Sequence, residues 1–275
     1  YEPHYEKFSV SRRERLQRFA DLTTSILDDS VSYILFPETS FSRVNTDNFP
    51  VNADIRGLRK LIAPYPNVRL VSGVSAYNVF DLGEPHTRAV RRQERTNAPD
   101  LYYEALNAAI QIDPNTDSIP LYVKSKLVPG AEITPYRELF FFVQPLMEHL
   151  DGSVEGLGIQ EERMAFSGPA GKIAPVICYE SIYGEYTTEY IKAGAEAIFI
   201  LTNDGWWDNT AGHKQHLAYS SLRAIETRRP VARSANSGIS GFIDQRGVIT
   251  DASEYEVEAA MSQTIYFNDD TTFYV

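Results

Sequence analysis

Short apolar runs of strand length recur along this chain, and segments with the apolar spacing of helices separate several of them. Such alternation predicts an α/β fold. Some neighbouring runs are joined only by turns, as in the hairpin over residues 241–250, so the sheet should be mixed. We predict a loop over residues 81–100 and irregular structure over 127–167. The predicted helices are residues 8–27, 53–62, 181–192 and 213–228. The predicted strands are residues 33–36, 68–77, 102–112, 120–126, 173–177, 197–202 and 231–235.

Length and composition limit the class of protein. The 275 residues contain no repeat, low-complexity tract or linker, so we interpret residues 1–275 as one domain. A formal net charge of −11 argues against a nucleic-acid partner, because phosphate binding needs a basic surface. A single cysteine excludes an intrachain disulfide. No apolar stretch reaches membrane-spanning length, and no signal peptide is visible. Neither end resembles a natural terminus, and we interpret the chain as an excised domain.

The single cysteine, Cys178, stands where the predicted strand 173–177 ends, shortly before the predicted helix 181–192. The N–H groups at a helix N-terminus favour a thiolate and can hold an oxyanion, which suits a nucleophile. A lone cysteine is, however, more often a small buried apolar residue. Its position alone therefore leaves both roles open.

Two other predicted strands are also followed by candidate polar residues. Glu38 comes directly after Pro37, which cannot extend a strand, so the carboxylate should project from the strand end. An exposed loop glutamate is the commoner alternative. Lys124 and Lys126 are two residues apart in the predicted strand 120–126, so both should lie on one face of it. Such a pair of lysines is also typical of a solvated edge strand.

A carboxylate, an ammonium group and a thiol at neighbouring strand ends can act together. The carboxylate would take the thiol proton, the thiolate would attack a carbonyl group, and the ammonium group would stabilise the oxyanion. The ammonium group would also lower the pKa of the thiol before attack. None of the five histidines lies in these three segments, and this chemistry does not require one.

These segments resemble the Glu-Lys-Cys triad of the nitrilase, or carbon–nitrogen hydrolase, superfamily in both order and local context. They are Phe-Pro-Glu-Thr around Glu38, Lys-Ser-Lys-Leu-Val-Pro from Lys124 and Ile-Cys-Tyr-Glu around Cys178. Any one of them alone would be a weak signal, whereas the three together are specific. The resemblance implies a nitrilase-type α/β/β/α sandwich with mixed sheets.

Within the superfamily the chain is most similar to a branch of lipoprotein N-acyltransferases. That branch is marked by Asn-Asp-Gly-Trp-Trp from Asn203, by His216 in the following helix, and by Arg-Ser-Ala-Asn-Ser-Gly-Ile over residues 233–239. The similarity spans about residues 7–250. It implies a first strand that is missing ahead of Tyr1 and flanking membrane helices that are absent from this chain.

The resemblance also implies roles for single residues. In the family pattern the catalytic lysine stands three residues before the Leu of Leu-Val-Pro. That position is Lys124 and not Lys126. Glu132 corresponds to a second active-site glutamate that orients this lysine, although Pro-Gly-Ala-Glu departs from the commoner Pro-Phe-Gly-Glu. Glu180 is expected to support the pocket. Other expected supporting or substrate-binding residues are Tyr179, Asn203 and Trp206, and for the tryptophan a place in the core is an open alternative.

The implied reaction is a two-step acyl transfer that needs no metal or organic cofactor. A phospholipid acyl donor would acylate the cysteine as a thioester, and the N-terminal amine of a diacylglyceryl-modified lipoprotein would accept the acyl group. The implied location is the periplasmic face of the bacterial inner membrane. The alternatives are a soluble carbon–nitrogen hydrolase that passes the acyl group to water, and a catalytically idle binding module.

An aromatic cluster at Phe140, Phe141 and Phe142 has two interpretations. Its apolar residues suit a core helix. The resemblance places it in an arm over the active site, where exposed rings could enter lipid.

Overall fold

Two six-stranded mixed sheets form the centre of the molecule. The computed structural model describes residues 11–81, 87, 89–96, 98–129, 132, 156–207 and 209–275, with the backbone alone at Arg43 and Trp206. The expectations for Phe140, Phe141 and Phe142 lie outside the described residues.

The first sheet contains strands from the N-terminal half. Strand β1 (Tyr33–Leu35) pairs in parallel with β3 (Arg69–Phe80), and β2 (Phe41–Asn45) pairs in parallel with β3 further along its length. Strand β5 (Leu101–Ile112) is antiparallel to β3 over eleven residue pairs. Strands β4 (Val90–Gln93) and β6 (Leu121–Val123) both run antiparallel to β5.

The second sheet has a parallel centre and antiparallel edges. Strands β8 (Gly171–Ile177), β9 (Ala197–Thr202) and β10 (Val231–Ala235) are parallel, which requires a crossover between each pair. Helix α3 (Gly184–Lys192) and helix α4 (Ala211–Thr227) form these crossovers. Strand β7 (Phe166–Gly168) flanks β8, and the hairpin of β11 (Gly241–Ile243) and β12 (Ile249–Ala252) flanks β10.

Helices α1 (Arg12–Thr24) and α2 (Ala53–Ile62) belong to the N-terminal half, and each begins at a residue whose side chain caps it. Ser11 Oγ accepts from the Glu14 N–H, and Asn52 Oδ1 accepts from the first turn of α2. In α2 the buried residues Ile55, Leu58 and Ile62 recur at helical spacing and face the sheet.

Two hydrophobic cores show how the layers stack. Alternate residues of the first sheet enter different cores, since Leu70 packs with α1 and α2 while its neighbour Val71 packs with the second sheet. The second sheet meets the first through residues such as Ile173 and covers its other side with α3 and α4. The helix–sheet–sheet–helix order confirms the predicted α/β/β/α sandwich with mixed sheets.

The predicted elements differ from the structure at several places. The loop predicted over 81–100 is wrong at β4, and β2 and β7 lie in segments without a predicted strand. The strand predicted over 120–126 ends at Val123, because pairing with β5 stops there. A 3₁₀ turn, Cys178–Ile182, precedes α3, so the helix predicted from residue 181 begins at Gly184. In the part of the chain that the structure describes, no helix is both long enough and apolar enough to span a membrane.

Candidate active site

Glu38 lies in a tight loop just past β1, at the predicted strand end, and its side chain is buried. Gly73 of β3 holds this loop, because its N–H donates to Pro37 O (3.1 Å) and its carbonyl accepts from Ser40 N (2.9 Å). The loop turns through Thr39, whose φ of 49° is in the left-handed region. The loop backbone thus rests directly on the sheet, and the carboxylate points into the interior.

Lys124 follows β6 and is almost fully buried, with 1% of its surface exposed. Its Nζ donates to Glu38 Oε1 at 3.1 Å and to Glu132 Oε1 at 2.9 Å. Burial alone would lower the pKa of this ammonium group, but the carboxylates of Glu38 and Glu132 favour the charged form, and the pKa is raised. The lysine is therefore a buried cation held between two carboxylates.

Asn107 of β5 joins the same two carboxylates. Its Nδ2 donates to Glu38 Oε1 (2.7 Å) and to Glu132 Oε1 (2.8 Å), while its backbone carbonyl accepts from Lys124 N (2.9 Å). Sequence reasoning missed this residue. The available signal was a polar side chain within the apolar run Ala-Leu-Asn-Ala-Ala-Ile, in the part of β5 that is buried on both faces.

Glu132 is fixed by the segment that precedes it. Its Oε2 accepts from Val128 N (2.8 Å), and its own N–H donates to Val128 O (2.9 Å). These two hydrogen bonds tie Glu132 to Val128 of the Leu-Val-Pro segment. The expected position of Glu132 beside Lys124 is present in the structure.

Cys178 is the first residue after β8 and takes a φ of 48°, a left-handed conformation that costs about 1–2 kcal/mol for a side chain with a Cβ. Burial and the carboxylates of Glu38 and Asp204 together raise the pKa of its thiol to about 12, against the opposing effect of the Lys124 ammonium group. The Thr202 hydroxyl is in hydrogen-bonding contact with the thiol. Lys124 lowers the pKa of the thiol, as expected of a nearby ammonium group, but burial and two negative charges outweigh it, and the net pKa is raised.

Glu180 is completely buried and anchors the turn that begins at Cys178. Its Oε2 accepts from Ile177 N (2.9 Å), and its Oε1 accepts from Ser125 N (2.8 Å), which ties the end of β8 to the segment carrying Lys124. Three tyrosine hydroxyls also donate to this carboxylate, those of Tyr122 (2.7 Å), Tyr186 (2.7 Å) and Tyr190 (3.1 Å).

The structure separates the two lysines that alternation placed together. Because β6 ends at Val123, Lys126 does not share the buried face of Lys124. Its side chain is exposed, and its Nζ lies over the rings of Tyr183 (5.7 Å) and Tyr186 (5.5 Å). The expectation that both lysines face one side of a strand is wrong.

The other expected supporting or substrate-binding residues, Tyr179, Asn203 and Trp206, lie in three different settings. Tyr179 is half-buried, with its ring against Tyr183 at 5.5 Å between centroids. Asn203 is buried just after β9, and its Oδ1 accepts from Gly205 N (3.3 Å), so the side chain shapes a turn. Trp206 lies in the 3₁₀ turn Gly205–Trp207, and its side chain is outside the described part of the structure.

A buried polar cluster adjoins Cys178 from the second sheet. Asp204 Oδ1 accepts from His216 Nδ1 (2.8 Å) and from Thr202 Oγ1 (2.9 Å), and Asp204 Oδ2 accepts from Arg233. Burial alone would raise the pKa of Asp204, but Arg233 and His216 lower it to about 2. His216 Nε2 lies 3.1 Å from Cys178 O. Sequence reasoning found no histidine near the three segments, because α4 brings this one from 38 residues away.

The site brings together a thiol, a carboxylate and an ammonium group, and all three side chains are buried. Both Glu38 and Lys124 act electrostatically on the Cys178 thiol. Within the described ranges, no group of three or more His, Cys, Asp or Glu side chains is placed to hold a metal ion. The arrangement suits nucleophilic attack by a thiol that a nearby carboxylate deprotonates.

The chain belongs to the carbon–nitrogen hydrolase family, whose pattern matches residues 5–265. The fold agrees: a nitrilase-superfamily protein from Saccharomyces cerevisiae, Nit3, superposes with a TM-score of 0.59 at 18% identity, covering 89% of this chain and 81% of its own. A carbon–nitrogen hydrolase from Helicobacter pylori G27 superposes with a TM-score of 0.61 at 14% identity, and the match covers 90% of this chain and 82% of the hydrolase.

Several curated relatives of the chain are named apolipoprotein N-acyltransferase. The Chlorobaculum tepidum protein is 29% identical over 99% of this chain and 51% of its own length. The Rhizobium meliloti protein is 30% identical over 86% of this chain and 41% of its own length. The Geobacter metallireducens protein is 31% identical over 62% of this chain and 32% of its own length. The chain therefore spans about half the length of these relatives, or less.

Proposed function

We propose that this chain is the acyl-transferring domain of a lipoprotein N-acyltransferase and that Cys178, Glu38 and Lys124 perform the transfer. One observation carries the proposal: the Lys124 ammonium is held between the carboxylates of Glu38 and Glu132 and acts on the buried thiol of Cys178. The names of relatives similar over nearly the whole chain support the choice of acyltransferase among the reactions of the family.

In the first step Glu38 takes the proton of the Cys178 thiol as the sulfur attacks an ester carbonyl of a phospholipid. The raised thiol pKa makes this base necessary, since the sulfur rests as a neutral thiol. Lys124 stabilises the oxyanion of the tetrahedral intermediate. The carbon–oxygen bond then breaks, Glu38 returns the proton to the departing alkoxide, and a thioester and a lysophospholipid remain.

In the second step the N-terminal amine of a diacylglyceryl-cysteine lipoprotein attacks the thioester. Glu38 takes a proton from the amine, Lys124 again stabilises the oxyanion, and the carbon–sulfur bond breaks. The sulfur recovers its proton from Glu38, so the enzyme returns to its starting state. Glu132 and Asn107 keep Lys124 and Glu38 in place through both steps.

The substrates place this reaction at a membrane. We propose that the chain works at the periplasmic face of the bacterial inner membrane, joined to it by segments outside this sequence. The half-length coverage of the relatives is consistent with such additional segments.

The test is intact-mass analysis of the full-length protein after incubation in membranes with a phospholipid donor. A hydroxylamine-labile acyl adduct should form on the wild type and be absent from Cys178→Ala. Adding a diacylglyceryl-cysteine peptide should discharge the adduct and yield an N-acylated peptide. An adduct that persists in Cys178→Ala would overturn the role of the cysteine. Discharge to free fatty acid alone, with the peptide unmodified, would instead indicate a hydrolase.

A further inference from the structure

The backbone of Cys178 is strained and is held on both sides by buried side chains. Its φ of 48° would relax to a right-handed value if the turn were free to move. On the N-terminal side Glu180 Oε2 accepts from Ile177 N (2.9 Å). On the C-terminal side two side chains meet the carbonyl of Cys178: Ser181 Oγ donates to it at 2.7 Å, and His216 Nε2 lies 3.1 Å away.

His216 connects this carbonyl to a charged cluster in the second sheet. The ring is buried, with 2% of its surface exposed, and its Nδ1 lies 2.8 Å from Asp204 Oδ1. One nitrogen of the ring therefore faces the Asp204 carboxylate, and the other faces the Cys178 carbonyl together with Ser181 Oγ, which lies 2.9 Å from Nε2. Arg233 also donates to Asp204 and fixes that carboxylate in place.

We propose that His216 is a positioning residue for the acyl transfer: it holds the carbonyl of Cys178 and so keeps the thiol aimed at the acyl carbonyl carbon. This inference rests on the proposed role of Cys178 as nucleophile. The ring is buried and contacts the carbonyl of Cys178, so in this proposal it acts through the backbone of Cys178. Thr202, which donates to Asp204 and contacts the thiol, links the same cluster to the sulfur itself.

Two substitutions separate positioning from stability. The amide of Asn reaches where Nδ1 lies, so His216→Asn keeps the bond to Asp204 and loses the contact with Cys178 O. The longer Gln reaches where Nε2 lies, so His216→Gln keeps the contact with Cys178 O and loses the bond to Asp204. Each variant retains one hydrogen bond, so their melting temperatures should be similar.

The experiment compares these variants in the full-length protein by alkylation of Cys178 with iodoacetamide and by acyl transfer at saturating phospholipid. We expect His216→Asn to lose about tenfold to a hundredfold in both rates, with KM unchanged. His216→Gln should stay within about threefold of the wild type. Equal losses in the two variants, or losses that simply follow the melting temperatures, would overturn the proposal.

The alkylation rate keeps this test independent of the proposed function. If the wild type alkylates at Cys178 but forms no acyl adduct, the acyltransferase proposal fails while the ranking of the two variants still tests the positioning by His216. If the wild type forms the adduct and the variants do not rank as expected, the positioning role alone fails.

Discussion

Gly73 lies directly beneath Glu38: a Cβ on Gly73 would come within 2.5 Å of Glu38 Cα and 2.6 Å of Pro37 O. Since both contacts are with backbone, a larger residue could be accommodated only if the loop moved. Because Gly73 has no side chain, the loop can lie directly against β3. This close contact sets how closely the Glu38 carboxylate approaches Lys124.

Gly73→Ala should displace the loop and lower acyl transfer about a hundredfold, because misplacing a catalytic group by about 1 Å is enough for a loss of that size. Gly57→Ala is the matched control, since its Cβ would meet only the flexible end of Leu16, at 3.1 Å. Turnover and thermal melts of both variants check the prediction. Full activity in a folded Gly73→Ala protein would show that the position of Glu38 does not depend on this close contact.

Lys124 and Lys126 should differ sharply in their effect on catalysis. Lys124→Ala removes the buried cation between Glu38 and Glu132, and we expect turnover to fall about a hundredfold or more, as for the loss of an oxyanion donor. Lys126→Ala removes an exposed side chain that contacts two tyrosine rings, so its effect should be much milder. A side-by-side turnover assay ranks them, and the reverse order would contradict the assignment of Lys124.

Glu180→Gln should destabilise the fold although it keeps the size of the side chain. The carboxylate accepts from backbone and tyrosine donors at both oxygens, so an amide in either orientation sets an NH₂ group against donors. We expect a loss of about 1–3 kcal/mol in the free energy of unfolding, measured by urea denaturation. Tyr190→Phe removes only one donor at 3.1 Å and should lose about 0.5–1.5 kcal/mol. Equal losses would mean that the other donors contribute little.

Local patterns predict the parts of the fold that local interactions set. Helix α2 has the predicted bounds, because Asn52 caps it and its apolar residues lie on one face. Two of the three strand-end segments predict the positions of Glu38 and Cys178 for a similar reason, since strands β1 and β8 end where the sequence changes from apolar to polar.

Long-range contacts determine what the sequence does not reveal. Asn107 reaches Glu38 across 69 residues and Glu132 across 25, and neither separation leaves a periodic signal. The exposure of Lys126 depends on where β5 stops pairing with β6. The raised pKa of Cys178 depends on burial and on Asp204, which belongs to another strand end. Each of these is a property of the assembled sheets.

Glu38 has two opposite effects on the thiol that one substitution should separate. As a base it promotes acyl transfer, whereas its negative charge raises the pKa of Cys178. Glu38→Gln should therefore lower the thiol pKa from about 12, because Lys124 then acts without that opposing charge. At a fixed pH below the wild-type pKa, a larger fraction of the sulfur is thiolate in the variant. Iodoacetamide should then alkylate the variant faster than the wild type, while acyl transfer by the variant falls.

Glu132→Gln is the control for this comparison. Glu132 is hydrogen-bonded to Lys124, whereas the charged groups with the largest effect on the thiol pKa are Glu38, Lys124 and Asp204. The alkylation rate of Glu132→Gln should therefore stay close to that of the wild type. Alkylation at Cys178 is followed by intact mass over a series of pH values in all three proteins. If alkylation and acyl transfer fall together in Glu38→Gln, the carboxylate does not oppose the thiolate. Such a result would mean that Glu38 promotes formation of the thiolate in both reactions.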